Sequence, residues 1–349
     1  MTELHASVQD GCLMLPSSLK IAALSLLLGL SLPLSPPLFA GQDWAHLRAV
    51  RVADSGHVEA SLGVQHSVQT SWAEGDHFAY FREVNGDYRL QRVITAEVDL
   101  GWQWSPAWGA KLAVPYALTE VSSYPPYSYN YSLADSTVHR NDGVGDIQLE
   151  LRRAWGVEPG LAGASAGSWL GVVGPSGLGP FEASHPLAAT GMGRWQIEPG
   201  FVVGTSNGVL SVVAQVGAPL QLGREARIAN EAALGYGPNG PLLPAPGAVW
   251  LGTRTGVEGG VGLAWLWYNA EDSRQTIAVE CQAWQRSALD IDGVLQPDTE
   301  NVGLRFVPQL HADFGRFKAM AAWELPFLYA NNEAASDFGA SHLRVDYGF

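Results

Sequence analysis

The sequence predicts an all-β protein: a single closed, antiparallel, transmembrane β-barrel of about twelve strands. Three observations predict it. Apolar and polar residues alternate with a period of two over unusually long runs. Aromatic residues gather near the ends of those runs, as they do at the two interfaces of a bilayer. The last eleven residues form an amphipathic strand, with Leu343, Val345, Tyr347 and Phe349 on one face and His342, Arg344, Asp346 and Gly348 on the other. A closed barrel is the β architecture that leaves no backbone polar group unpaired in lipid.

The chain begins with material that does not read as barrel. Lys20 precedes the short apolar run from Ile21 to Leu30, and a proline-rich stretch then leads to Ala40 and Gly41. Residues 1–40 are therefore expected to be a secretory signal peptide, and residues 41–349 the barrel. Glu3 and Asp10 sit where a signal carries positive charge, so Met14 is the more natural start. Cys12 would leave with the signal, and Cys281 would remain alone, with no intramolecular disulfide available.

The strands follow in order. From His57 to Trp72, Val58, Ala60, Leu62, Val64, Val68 and Trp72 alternate with Glu59, Ser61, Gln65, Ser67 and Gln69. Residues 87–104 repeat the pattern, and Ser105-Pro106 turns the chain into a third strand through Leu112, Val114, Tyr116 and Leu118. Residues 120–142 are rich in Tyr, Ser, Pro and Asn and read as a long loop. Further strands are expected at about 147–155, 168–175, 194–204, 209–220, 253–268, 275–286, 301–312, 316–328 and 339–349. Short turns alternate with long loops, which is the asymmetry of an outer-membrane barrel, and an even count returns both termini to the short-turn rim. Residues 226–252 could add two strands and make fourteen. Pro238, Pro241, Pro244 and Pro246 argue against that, because proline cannot donate to a ladder.

Which way the apolar face points decides the fold. Mid-strand charges on the opposite face, such as Glu97, Lys111 and Glu150, would be costly in a packed core. The apolar face is therefore expected to meet lipid, and the polar face to line the lumen. The lumen candidates are Glu97, Asp99, Lys111, Glu150, Arg152, Glu198, Glu280, Arg305, Lys318, Glu324, Arg344 and Asp346. They could stiffen the wall as ion pairs or select solutes by charge and size.

Composition excludes some functions. A formal charge of −14 leaves no basic stripe for nucleic acid. Asp290 and Asp292 are expected in a loop on one rim, with His311 and Asp313 on the other, so a rim protease cannot be assembled from them. Ser341-His342 and His66-Ser67 are neighbours on strands and point to opposite faces, so neither makes a nucleophile–base pair. The nine histidines are scattered and no glycine-rich phosphate loop opens a helix. No catalytic residue, cofactor or metal ligand is expected, and the chain does not read as an enzyme.

Two resemblances extend this reading. The final strand, ending on Phe349, looks like the closing strand of a bacterial outer-membrane barrel, which implies recognition by the barrel-assembly machinery. Val114-Pro115-Tyr116, then Gly143-Val144-Gly145-Asp146, and later Gly171-Val172-Val173-Gly174-Pro175-Ser176-Gly177 follow a second pattern. It is similar to that of the outer-membrane transporters encoded beside meta-cleavage pathways of phenol degradation. Gly174 stands where an aliphatic residue is commoner in that family. The resemblance implies an outer-membrane transporter and carries over no substrate; the expected function is a passive channel for small solutes, hydrophobic or aromatic ones among them. The rival expectation is a structural or surface-interaction barrel whose lumen is plugged.

Overall fold

The computed structural model describes residues 44–48, 56–69, 71–74, 77–80, 88–124, 137–155, 164–180, 182–183, 189–227, 248–270, 273–295, 300–330, 334–335 and 340–348. The expected signal peptide and Phe349 lie outside the described residues. Among those described there is no helix.

Twelve antiparallel strands form the ring: β1 (His57–Gln69), β2 (Tyr88–Ser105), β3 (Trp108–Tyr124), β4 (Thr137–Val144 continuing as Ile147–Trp155), β5 (Ala164–Gly174), β6 (Gln196–Ser206), β7 (Leu210–Gly217 continuing as Leu220–Gln221), β8 (Arg254–Ala270), β9 (Ser273–Arg286), β10 (Asn301–Phe314), β11 (Phe317–Ala330) and β12 (Ala340–Gly348). Each strand pairs with its sequence neighbours, and β12 closes on β1 from Glu59↔Gly348 to Ser67↔Ala340. Closure leaves no edge to pair with another chain. β4 and β7 are each interrupted once, at residues 145–146 and 218–219; both halves of β7 keep the same two neighbours, whereas both halves of β4 pair with β3 and only the second also pairs with β5.

The apolar face looks outward. Leu343 is 62% exposed and Val345 51%, while Asp346 between strand neighbours is buried. Leu62, Val98, Leu343 and Val345 join across β12, β1 and β2 into one greasy band. Each such side chain would lose about 1.5–3 kcal/mol by remaining in water, so the summed preference places this surface in hydrocarbon. Trp102, Trp104, Trp267, Tyr268, Phe314 and Phe317 ring the short-turn rim, and Trp195, Trp250 and Trp323 lie toward the other. These are the two interfacial girdles of a membrane barrel, and the chain is an outer-membrane β-barrel.

The ring has twelve strands, as the alternation predicts, but the loops hold more structure than expected. β3 runs on to Tyr124 and β4 starts at Thr137, so both strands extend well into the stretch read as a loop from residue 120. Arg224–Arg227 and Ala248–Leu251 do pair, outside the ring, in a four-stranded sheet with Asp290–Ile291 and Val294–Leu295. The four prolines fall between those two strands rather than within them. The 290–295 hairpin turns on Asp292 (φ 53°) and Gly293 (φ 81°), the pair of positive φ angles that a two-residue Asp-Gly turn needs. A second small sheet joins Ser71–Glu74, His77–Tyr80 and Ala334–Ala335.

Candidate functional site

The lumen is the candidate site, and its wall is built in two ways. Across β12, β1, β2 and β3, side chains of the wall satisfy one another. The Asp99 carboxylate on β2 takes Lys111 Nζ from β3 at 2.8 Å, Arg344 Nη1 from β12 at 3.1 Å and the Ser61 hydroxyl from β1 at 2.9 Å. Arg344 also donates through Nε to Asp346 at 2.7 Å and through Nη2 to Ser61 at 2.9 Å. One carboxylate thus ties four strands together. Charge-assisted hydrogen bonds of this kind are stronger than neutral ones, and the low dielectric makes each partner depend on the others.

Across β5 to β9 part of the inner face is small and apolar instead. Gly200, Val202, Val213, Gly260, Gly262, Ala264 and Ala278 leave a groove, and a segment preceding β1 fills it. Residues 44–48 cross the lumen as a strap. Trp44 and Leu47 are 6% and 4% exposed and pack with Trp169, Val202, Val213, Ala264 and Ala278. A Cβ on Gly262 would fall 2.5 Å from the Trp44 ring, and one on Gly260 would fall 2.6 Å from Leu47 Cδ2. Here glycine is required by the close approach of another chain segment rather than by backbone conformation.

Polar contacts fasten the strap at both ends. Arg48 Nε donates to Glu150 on β4 at 2.7 Å, and its Nη2 lies 2.7 Å from Glu198 on β6, with Glu258 on β8 farther at 3.8 Å. The guanidinium stacks 4.4 Å over the Trp169 ring, whose Nε1 donates to Glu198 at 3.2 Å. The Arg48 amide donates to Gln215 Oε1 at 2.8 Å. At the other end the His46 amide donates to Glu280 Oε2 at 3.2 Å, and His46 Nε2 lies 2.7 Å from Glu324 Oε1. Glu280 is fully buried and also accepts from Gln282 and Gln309. Burial, then the charge of Arg305, pushes the His46 imidazole down to about 4. Burial would lower the Arg48 guanidinium as well, but Glu150 and Glu198 outweigh it and its pKa is raised.

Beside the strap lies a cavity of about 500 Å³, bordered by His57, Asp99, Lys111, Arg153, Trp284 and Arg286 as well as by residues 44–48. The lumen is therefore narrowed by the strap without being filled.

All twelve residues expected on the inner wall fall on the inward face. The structure groups them by neighbourhood: Asp99, Lys111, Arg344 and Asp346 in the four-strand clasp; Glu150 with Arg152 and Arg48; Glu198 with Arg48; Arg305 with Gln282 and Glu324. Glu97 borders the cavity. Lys318 stands opposite Asp313 and Asp346 in the strand register. The arginines of the wall meet acids along the wall. Among the described residues only the strap reaches across, through Arg48 and His46, and sequence reasoning did not single out either residue. Their signal was weak: a Trp-Ala-His-Leu-Arg run just after the expected signal peptide, with no period of two.

The glycine motifs of the family resemblance have a structural role. Asp146 accepts the Gly177 amide at 2.9 Å. Ser176 Oγ accepts the Ile147 amide at 2.8 Å and donates to the Gly145 carbonyl at 2.7 Å. The two motifs thus clasp each other at the break in β4. A Cβ on Gly145 would fall 2.9 Å from the Thr190 carbonyl, so this residue is glycine because the loop of 189–192 lies directly against it.

No family model matches the sequence, and comparison with curated proteins gives no match. Solved structures do match. An outer membrane channel from Pseudomonas putida F1 aligns over 88% of this chain and 100% of its own, at 13% identity, with a TM-score of 0.63. The transport unit of the autotransporter AIDA-I from Escherichia coli aligns over 87% and 92%, at 9% identity and a TM-score of 0.43. The translocator domain of NalP from Neisseria meningitidis aligns over 85% and 89%, at 12% and 0.41. The latter two likenesses are too slight to bear on function. What this chain shares with the first is its fold, a closed barrel of the bacterial outer membrane.

Proposed function

We propose that this protein is a passive outer-membrane channel for small hydrophobic or aromatic solutes, held shut by the strap of residues 44–48. The observation that carries the reading is that the strap meets the wall through non-covalent contacts alone. It fills a groove on the inner face of a ring that closes without it and leaves a cavity of about 500 Å³ beside it. When the strap leaves, it uncovers Trp169, Val202, Val213, Ala264 and Ala278, together with the carboxylates of Glu198 and Glu258. Such a niche suits neutral aromatic or apolar solutes and repels aromatic acids, in keeping with the resemblance to phenol-pathway transporters. No covalent chemistry is needed, since passage requires only a path and a gate. The terminal strand, which closes the ring against β1, serves assembly through the barrel-assembly machinery.

The strap equally supports a second reading, a plugged barrel that transports nothing. Planar-bilayer conductance separates the two. Replacing residues 44–48 with Gly and Ser is expected to raise conductance several-fold over the wild type and to speed uptake of phenol-sized neutral solutes into proteoliposomes. If the replaced barrel remains non-conducting at every voltage, the plugged reading holds.

A further inference from the structure

Where the strap meets β11 and β12, three ligand-type atoms converge. His46 Nε2 and His342 Nε2 lie 2.7 and 2.6 Å from the same atom, Glu324 Oε1, and all three lie within 4.8 Å of one another. The two imidazoles stand edge to face with centroids 5.1 Å apart. A hydrogen-bonded trio does not account for the whole arrangement. His46 Nε2 is buried and close to Glu324, yet its geometry makes no hydrogen bond there, so a buried ring nitrogen faces the carboxylate without being aligned to it. Arg305 Nη1 holds the other carboxylate oxygen at 2.9 Å and so turns Oε1 toward both rings. Outer partners orient metal ligands in the same way.

Local charge also fits a cation. Two carboxyl groups, Glu324 and Glu280, stand there against the single guanidinium of Arg305.

We propose that His46, Glu324 and His342 bind one divalent transition-metal ion of the zinc or cobalt type, which staples the strap to the wall. Two imidazoles and one carboxylate suit such borderline ions and do not suit magnesium or calcium, which prefer all-oxygen shells. Metal–ligand bonds of about 2.0–2.2 Å need the three atoms slightly farther apart than they stand. Small rotations of the two imidazoles supply that.

The test uses the untagged mature barrel in detergent, stripped with chelator and dialysed, so it does not depend on whether the barrel conducts. Calorimetric titration with Zn²⁺ is expected to show one saturable equivalent, and Co²⁺ to develop the visible absorption of a low-coordinate site. His46→Ala and His342→Ala should each weaken binding about tenfold or more. His46→Ala lies outside the ring, so its barrel folds even if His342→Ala does not. His66→Ala, on the outward face, should change nothing. Absence of a saturable equivalent, or affinity unchanged in His46→Ala, would overturn the proposal.

Discussion

The two sides of the lumen wall solve the same problem differently. On β12, β1, β2 and β3 the cations find acids within the wall, and Asp99 alone joins Lys111, Arg344 and Ser61. On β5 to β9 the wall is left incomplete: Gly260 and Gly262 have no side chains, and Glu198 and Glu258 look inward. The missing volume and the missing positive charge both arrive with residues 44–48. A self-sufficient wall belongs to the permanent structure. A wall completed by a separable segment is one that can open. This contrast, more than the width of the ring, is what makes the barrel read as gated.

The contrast can be broken most strongly by filling the groove. Gly262→Leu places a Cβ 2.5 Å from the Trp44 ring and should expel the strap, raising conductance several-fold. Gly63→Leu, on β1, meets only the Leu343 carbonyl at 3.9 Å and should leave conductance within about twofold of wild type. Equal effects from the two would show that the halves do not differ.

Arg48→Ala should act next most strongly. Glu150 keeps Arg152 as a partner, whereas Glu198 is left with the Trp169 and Gln196 donors. Removing one partner of a buried pair costs about 3–5 kcal/mol, here charged against docking of the strap. Protease sensitivity of the strap should therefore rise by about two orders of magnitude or more while the urea midpoint of the ring barely moves. Asp99→Asn should give the reverse and a smaller effect. It leaves Lys111 and Arg344 facing each other and should cost about 2 kcal/mol of barrel stability with strap protection unchanged. A reversed pattern would mean that the strap, not the ion pairs, holds the ring.

The ring was legible in the sequence because lipid enforces it. Every outward residue must be apolar and every inward one can be polar, so alternation in runs such as Val58–Gln69 fixes strand, face and register at once. The strap was not legible for the opposite reason. Trp44–Arg48 has no period, and its partners Glu150, Glu198, Glu280 and Glu324 stand roughly 100 to 280 residues away. His46 and His342 are separated by most of the chain, so no spacing motif could have paired them. The Ile291-Asp292-Gly293-Val294 hairpin was legible in principle, since Asp-Gly between apolar residues signals such a turn. It was hidden by treating residues 288–300 as one loop. The glycine motifs were noticed, but their mutual clasp through Asp146 and Ser176 depends on a loop folding back, which local pattern does not encode.

The central claim is that residues 44–48 lie inside the barrel against β8, and a disulfide tests it most directly. In a Cys281→Ser background, Leu47→Cys and Gly260→Cys together should form an intramolecular bond in exported protein, identified as a linked peptide pair by mass spectrometry. Two free thiols, both taken up by a small maleimide, would place the strap elsewhere and contradict the account.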